Sequence, residues 1–388
     1  MIEQKNSSHG EGSIPLRLQV RQGSSHNPDV DEAVRELAAQ ISQPNAQIYM
    51  VFFSDEFDPQ QIGKALKKHF PGPVIGCTTA GQLSETGFQR GGLSGASLAS
   101  AELSVIPYLI HPLSSYTEQI AEMGRDIQKQ LSPSGLQAFG FLLVDGLSMK
   151  EEQLISALYM ALGNVPIVGG SAGDSLKFKR TFVYYDGVLL QDAAVFTLFL
   201  TSLPFYVFKH QHFLPSSTRL VVTEADPEQR IVREINGEPA AEVYAQLIGT
   251  TVDRLTADEF SRHPLMLRLG TEYYVRSISN ALPDGSLKFF CGIDTGLVLT
   301  IGKGDSAIDA LKREMQKVKE VVGEPTIIIG CDCILRRLEM EAHNLDDSVG
   351  DLMAKSKVVG FSTYGEQINS VHVNQTFTGV AIAGGKIE

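Results

Sequence analysis

"PVIGCTTAG", residues 73–81, carries a short apolar strand into a glycine followed by hydroxyl side chains. The same junction is written twice more, as "PIVGGSAGD" (166–174) and "VVGFSTYGE" (358–366). Aligned, the three read Gly76-Cys77-Thr78, Gly169-Gly170-Ser171 and Gly360-Phe361-Ser362, with a hydroxyl at the third position each time. Self-similarity at this scale says more about a fold than any single motif.

Each junction has the same surroundings. Upstream lie a strand and a helix: "QIYMVFFSDEF" with "PQQIGKALKKHF", "FGFLLVDGLS" with "KEEQLISALYMALG", and "PTIIIGCDC" with the longer helix "ILRRLEMEAHNLDDSVGDLMAKS". Nearly unbroken apolar strands joined by amphipathic helices are the mark of parallel βαβ units buried on both faces. A later apolar strand follows each one: "LSGASLASAEL", "DAAVFTLFL" and "QTFTGVAIA". The fold class is therefore α/β, built from three relatives of one unit with right-handed crossovers.

Between the second and third copies the texture changes. "RLVVTEADPEQRIVREING" and "YYVRSISNALPDGSLKFFCGI" alternate across turn residues and read as β-hairpins, with a short helix in "EPAAEVYAQLIG" between them. The expected layout is a disordered arm over 1–28, a first domain over 29–205 and a second over 206–388. The second begins with a mixed α+β section (about 206–322) and ends with the third βαβ-like unit (about 323–388).

The totals agree with two or three domains: 388 residues with 43% hydrophobic content exceed one ordinary core. A formal charge of −12 argues against nucleic acid or an anionic membrane as partner. The polar N-terminus has no apolar signal-peptide core, and "AAVFTLFLTSLPFYVF" is broken by polar residues and Pro204. Four cysteines make no disulfide framework in a chain of this length. A cytoplasmic protein is expected.

Open α/β sheets bind ligands beyond the carboxyl ends of their strands. There the sequence places the hydroxyls of Thr78, Ser171 and Ser362 and the acids Asp55, Asp145 and Asp332, which equally serve as ordinary turn and cap residues. Gly169–Gly173 matches G-x-S-x-G, but "DSLKFKRTFVYYDG" follows as loop and strand, where a nucleophile elbow needs a helix. A serine hydrolase using Ser171 is thus the weakest alternative. Cys331-Asp-Cys333 lacks the spacing of a metal pair. His210 and His212 share a strand face, with Phe208 and Phe213 beside them. An imidazole in apolar surroundings can be a haem ligand, or simply a histidine at a domain junction.

Several dispersed stretches together resemble the FIST family of bacterial sensory proteins: "IGCTTAGQLSETGF", "VDGLSMKEEQLISAL", "VGGSAGD", "VVTEADPEQRIVREINGEPAAEVY", "GCDCILRRLE" and "GFSTYGEQINSVHVNQTFTG". The likeness covers nearly everything after residue 30. Stand-alone members resemble haem-binding nitric-oxide sensors that regulate a histidine kinase or a cyclic-di-GMP enzyme. The resemblance therefore implies noncovalent haem b. "HF-x-P" resembles the opening of the family's C-terminal domain, so the axial role goes to His212 with His210 in reserve. The alternative is a metal-free module for a small polar ligand such as an amino acid. In that case Asp332 or Glu366 would take an ammonium and Arg336 a carboxylate, on a rim shared with Thr78, Ser171, Ser362 and Tyr364. Neither version is expected to be an enzyme, and a homodimer stays open.

Overall fold

Three units of one plan make up the body of the protein, in a computed structural model that describes residues 17–384. The first unit runs β1 (Gln19–Ser25), α1 (Val30–Ile41), β2 (Ala46–Ser54), α2 (Pro59–His69), β3 (Val74–Thr79), a hairpin of β4 (Gln82–Ser84) and β5 (Gly87–Gln89), and β6 (Leu93–Ala99). The second repeats it: β7 (Leu103–Ile110), α3 (Tyr116–Ser134), β8 (Gln137–Val144), α4 (Glu151–Leu162), β9 (Ile167–Ser171), the hairpin β10 (Val183–Tyr185) and β11 (Val188–Leu190), and β12 (Ala194–Thr201).

The third unit opens with β13 (Phe205–His210) and is then interrupted. The insertion holds β14 (Phe213–Asp226), β15 (Ile231–Ile235), β16 (Glu238–Pro239), α5 (Ala240–Ile248), α6 (Ala257–Arg262), β17 (Leu265–Leu269), β18 (Glu272–Arg276), β19 (Ile278–Ala281), β20 (Leu287–Phe289) and β21 (Val298–Gly304). The unit resumes with α7 (Ala307–Val322), β22 (Ile327–Cys333), α8 (Ile334–Ala342), α9 (Asp346–Lys355), β23 (Val358–Thr363), the hairpin β24 (Glu366–Ile368) and β25 (Val371–Val373), and β26 (Phe377–Ile382).

Local signals explain the helices. Asp29 caps α1 by accepting from Glu32 N, and Asp58 caps α2 ahead of Pro59. In α1, Ala33, Val34, Leu37, Ala38 and Ile41 form one buried face at helical spacing.

In each unit the strands flanking the second helix pair in parallel (β2 with β3, β8 with β9, β22 with β23), and the last strand returns antiparallel on the first. The hairpins do not stay at home. β4 joins β23 of the third unit, β10 joins β3 of the first, and β24 joins β9 of the second. The exchange is cyclic and closes the three sheets into a ring.

Their inner faces meet in one central core, where Phe52 stacks on Phe361 at 4.8 Å and Phe139 on Phe199 at 4.6 Å. The outer faces are covered by the units' own helices. The insertion has a separate core around Val222, Val232, Tyr244, Leu265 and Leu299. It is tied to the ring by a narrow neck, where Phe213 pairs with Gly304 and Asp305 N donates to His212 O at 2.8 Å.

The recurring glycines now have a cause. A Cβ on Gly76, Gly169 or Gly360 would lie 2.2, 2.2 and 1.8 Å from the carbonyl oxygens of Val51, Leu142 and Gly330. Each of those residues sits opposite its glycine in the parallel pair. The glycines admit a neighbouring strand within the sheet, so their close approach is to backbone.

Three expectations change. Residues 17–28 of the arm expected to be disordered are structured, because β1 pairs along its length with β6 and Leu18 is buried; residues 1–16 lie outside the described part. The long helix of the third unit is two helices, broken where Asn344 takes φ 56°. The mixed section is narrower than 206–322, since β13 pairs with β26 and α7 packs on the third unit's sheet.

Candidate functional site

The three junctions come together. Thr78 N donates to Phe182 O and Thr78 O accepts from Gly173 N, both at 3.0 Å. Ser171 N donates to Gly365 O, and its carbonyl accepts from Tyr364 N. Ser362 N donates to Gly81 O, and its carbonyl accepts from Ala80 N. Each hydroxyl-bearing residue thus uses both backbone groups to hold the next unit's loop.

Two of the three hydroxyls do the same. Thr78 Oγ1 accepts from Phe182 N at 2.9 Å, Ser171 Oγ accepts from Gln367 Nε2 at 3.0 Å, and Ser362 Oγ lies 3.5 Å from Arg337 Nη1. All three are buried. Thr78 and Ser171 thus add a side-chain bond to the exchange between units, whereas Ser362 adds only its backbone bonds and meets Arg337 of its own unit. Ser171 has no imidazole on its hydroxyl and is followed by a loop, so it does not form a nucleophile elbow.

The strand-end acids differ in how fully they are used. Asp55 accepts from Ser175 Oγ and Lys177 Nζ, and Asp145 from Thr181 Oγ1 and from Leu147 and Asp192 backbone N–H groups. Asp174 accepts from Phe178, Lys179 and Arg180 N–H groups and from the Tyr364 hydroxyl. Tyr364 on the expected rim is therefore a loop anchor, its ring stacked on Phe178 at 4.8 Å.

Asp332, at the end of β22, is different. Its Oδ1 accepts from Arg336 Nη1 at 3.1 Å, both side chains are wholly buried, and Oδ2 has no partner among the described residues. Arg336 lies in the first turn of α8 and keeps Nε and Nη2 unpartnered. Beside this pair Glu366 accepts from Thr363 Oγ1, Thr376 Oγ1 (2.6 Å) and Thr376 N (3.2 Å). Burial pushes its carboxyl up to about 8 despite the hydroxyl donors. Burial likewise raises Asp332 to about 6 against the pull of Arg336.

Around these groups runs a loop that sequence reasoning missed. Asn374, Gln375 and Thr376 are polar, consecutive and fully buried, although loops ordinarily run over the surface. Gln375 takes φ 49° and is held by Ser277 Oγ and Ser261 O of the insertion. Arg276, also of the insertion, donates to His372 O at 2.8 Å. The insertion therefore roofs the strand ends of the third unit. Beneath it, both amide atoms of Asn374, Nε2 of His372 and Oε1 of Gln367 are unpartnered. The sequence signal was "NQT" lying between two apolar strands, with no turn glycine or proline in it.

Of the residues singled out for haem, His212 and Phe213 pack ring on ring at 4.3 Å, while the two phenylalanines belong to different cores. His212 is buried, and its Nε2 is held by Glu339 Oε1 at 2.8 Å. Phe208 packs edge-on against Phe377 in the third unit's outer core, whereas Phe213 packs with Met266 and Val275 in the insertion. His210 keeps Nε2 unpartnered, and burial, reinforced by the charge of Arg336, holds it well below the usual histidine range. A macrocycle needs apolar walls; here the neighbours of the two imidazoles include Arg336, Arg313 and Glu339. Among the described residues no group of three or more His, Cys, Asp or Glu is placed to hold a metal ion.

Residues 47–238 match the family model described as the FIST N domain, and residues 240–369 match the FIST C domain. The chain belongs to the FIST family. FIST domains are sensory domains in signal transduction. The split between the two matched regions falls inside the insertion, between β16 and α5. This FIST protein is also similar to the uncharacterized protein MJ1623 of Methanocaldococcus jannaschii, at 22% identity over 91% of this chain and 77% of that one. Among the described residues no helix is long and apolar enough to cross a membrane.

Proposed function

We propose that this FIST protein senses a small zwitterionic molecule, such as an amino acid, held between Asp332 and Arg336 under the insertion. The carrying observation is the free side-on edge of Arg336. Nε–H and Nη2–H are parallel donors that match a carboxylate in bidentate fashion, and they are wholly buried with no partner among the described residues. The amino end of α8 adds a favourable dipole for the same anion. Asp332 Oδ2 is left for an ammonium, and the amide of Asn374 offers one donor and one acceptor. Buried polar groups without partners are uncommon, and several gathered at one place fit a polar ligand.

Asp332 and Arg336 are wholly buried, so binding couples to movement of the insertion about its neck at His212 and Asp305. A ligand that favours the closed arrangement shifts the population towards it. The changed surface is then read by a partner, for which a histidine kinase or cyclic-di-GMP enzyme is our candidate class.

Calorimetry of metal-free protein against a panel of amino acids tests this. At least one should bind saturably and raise the melting temperature, and Arg336→Gln should abolish it. A panel with no binder, or one bound equally by the variant, removes the reading. The unpartnered Nε2 of His210 is the observation that speaks for haem-based nitric-oxide sensing instead. Freshly isolated protein with no Soret band, before or after nitric oxide, would dismiss it.

A further inference from the structure

A cleft of about 690 Å³ opens at the seam between the amino end of α4 and the insertion. We infer that it is a second ligand site, for a small organic carboxylate with an apolar body, independent of the pair Asp332–Arg336. Among its lining is Arg276, nine-tenths buried, whose Nε has no hydrogen-bond partner among the described residues, although Nη1 is taken by His372 O and the buried Cys291 thiol lies against the guanidinium. A buried guanidinium N–H left unpaired is costly, and a carboxylate is the group that satisfies it best.

The neighbouring acids are already spent. Glu151 and Glu152 both accept from Arg230 Nη2, at 2.7 and 2.8 Å, and Glu152 also accepts from Gly292 N. The remaining lining acids, Glu228 and Asp294, are exposed at the rim.

The walls supply the apolar half. Leu267 and Leu297 lie within, and Met149 and Leu269 are each 42% exposed at the opening. Met149 adopts φ 54°, a left-handed conformation unfavourable for a long side chain. Pockets for small molecules combine such apolar walls with one or two placed polar groups. An occupant would touch the second unit and the insertion together and so brace the seam.

Calorimetry of the full chain with octanoate, and with octanol as the uncharged control, tests the assignment. Octanoate should bind and octanol should bind at least tenfold more weakly. Arg276→Gln should weaken octanoate at least tenfold, Leu269→Asn should weaken it by a smaller factor, and Arg336→Gln should leave it unchanged. If Arg276→Gln does not fold, Leu269→Asn and Met149→Ser decide. Equal binding of octanol, indifference to the cleft substitutions, or loss in Arg336→Gln each overturns the proposal.

Discussion

Asp332 and Arg336, one turn apart across the join of β22 and α8, share a single hydrogen bond at 3.1 Å with neither side chain exposed. A buried pair in this geometry is under-used: each partner keeps hydrogen-bonding capacity pointing elsewhere. Removing one member strands the other's charge in a dry interior, a loss of about 3–5 kcal/mol. Arg336→Gln should therefore lower unfolding stability by that order in urea titrations. The double variant Asp332→Asn with Arg336→Gln should recover a good part of it. Equal losses in single and double variants would show that the pair is not electrostatically coupled.

Gly169→Ala should be strongly destabilising, because the new Cβ would lie 2.2 Å from Leu142 O, a backbone atom held by the sheet. Overpacking of this kind costs about 1–3 kcal/mol or more. Gly135→Ala is a suitable control: it has nothing within 4 Å of a Cβ and carries only the penalty of its positive φ. Melting temperatures of the two variants give the comparison, and a Gly169→Ala protein as stable as the control would contradict the close strand approach.

The triplicated βαβ plan was legible because it is local: apolar strands, capped helices and the repeated Gly-x-hydroxyl junction all lie within thirty or so residues of one another. The hairpin exchange was not. "QLSETGFQ" reads as a hairpin wherever it docks, and its pairing with β23 is set by a partner nearly three hundred residues away. The three junction hydroxyls were visible as a pattern, but that the backbone groups of the same residues hold the loops of neighbouring units was not. Asp332, Arg336 and Glu366 were picked out from their residue types and family likeness. Asn374 and Arg276 escaped because burial of a polar loop by a distant insertion leaves no periodicity in the sequence.

Glu366 gives a pH signature whose sign is opposite to that of an ordinary paired acid. Its folded value is raised from 4.5 to about 8, so between those limits the native state holds a proton that the unfolded chain has released. Stability is greatest below the lower limit and is lost as pH rises through the upper one, by about 5 kcal/mol at most. Asp332 adds a smaller loss of the same sign between 3.8 and about 6. His372, lowered from 6.5 to about 4 by burial, acts on the acid side: its contribution is present above 6.5 and is lost as pH falls towards 4. Glu366→Gln should flatten the decline between about pH 6.5 and about pH 8.5 while keeping the acid limb. Urea midpoints across that range give the answer, and a variant with an undiminished alkaline decline would rule Glu366 out as its source.

Arg230 is the strongest clasp between the insertion and the second unit. Nη2 reaches Glu151 and Glu152 on α4, and Nη1 donates to Phe290 O at 2.6 Å. Arg230→Gln leaves two acids facing each other with no cation, so the seam should open while the insertion keeps its own core around Tyr244 and Leu265. Opening should show at the neck, where Lys303 precedes Gly304. Limited trypsin digestion should cut there at least about tenfold faster than in the parent, the factor expected for each 1.4 kcal/mol of docking energy lost. Adding Glu151→Gln and Glu152→Gln to Arg230→Gln removes the stranded charges and should slow cleavage again. Were the single variant cut no faster than the parent, the insertion would be held by its other contacts, Arg276 with His372 and Gln375 with Ser261 and Ser277, and the ion cluster would be incidental to closure.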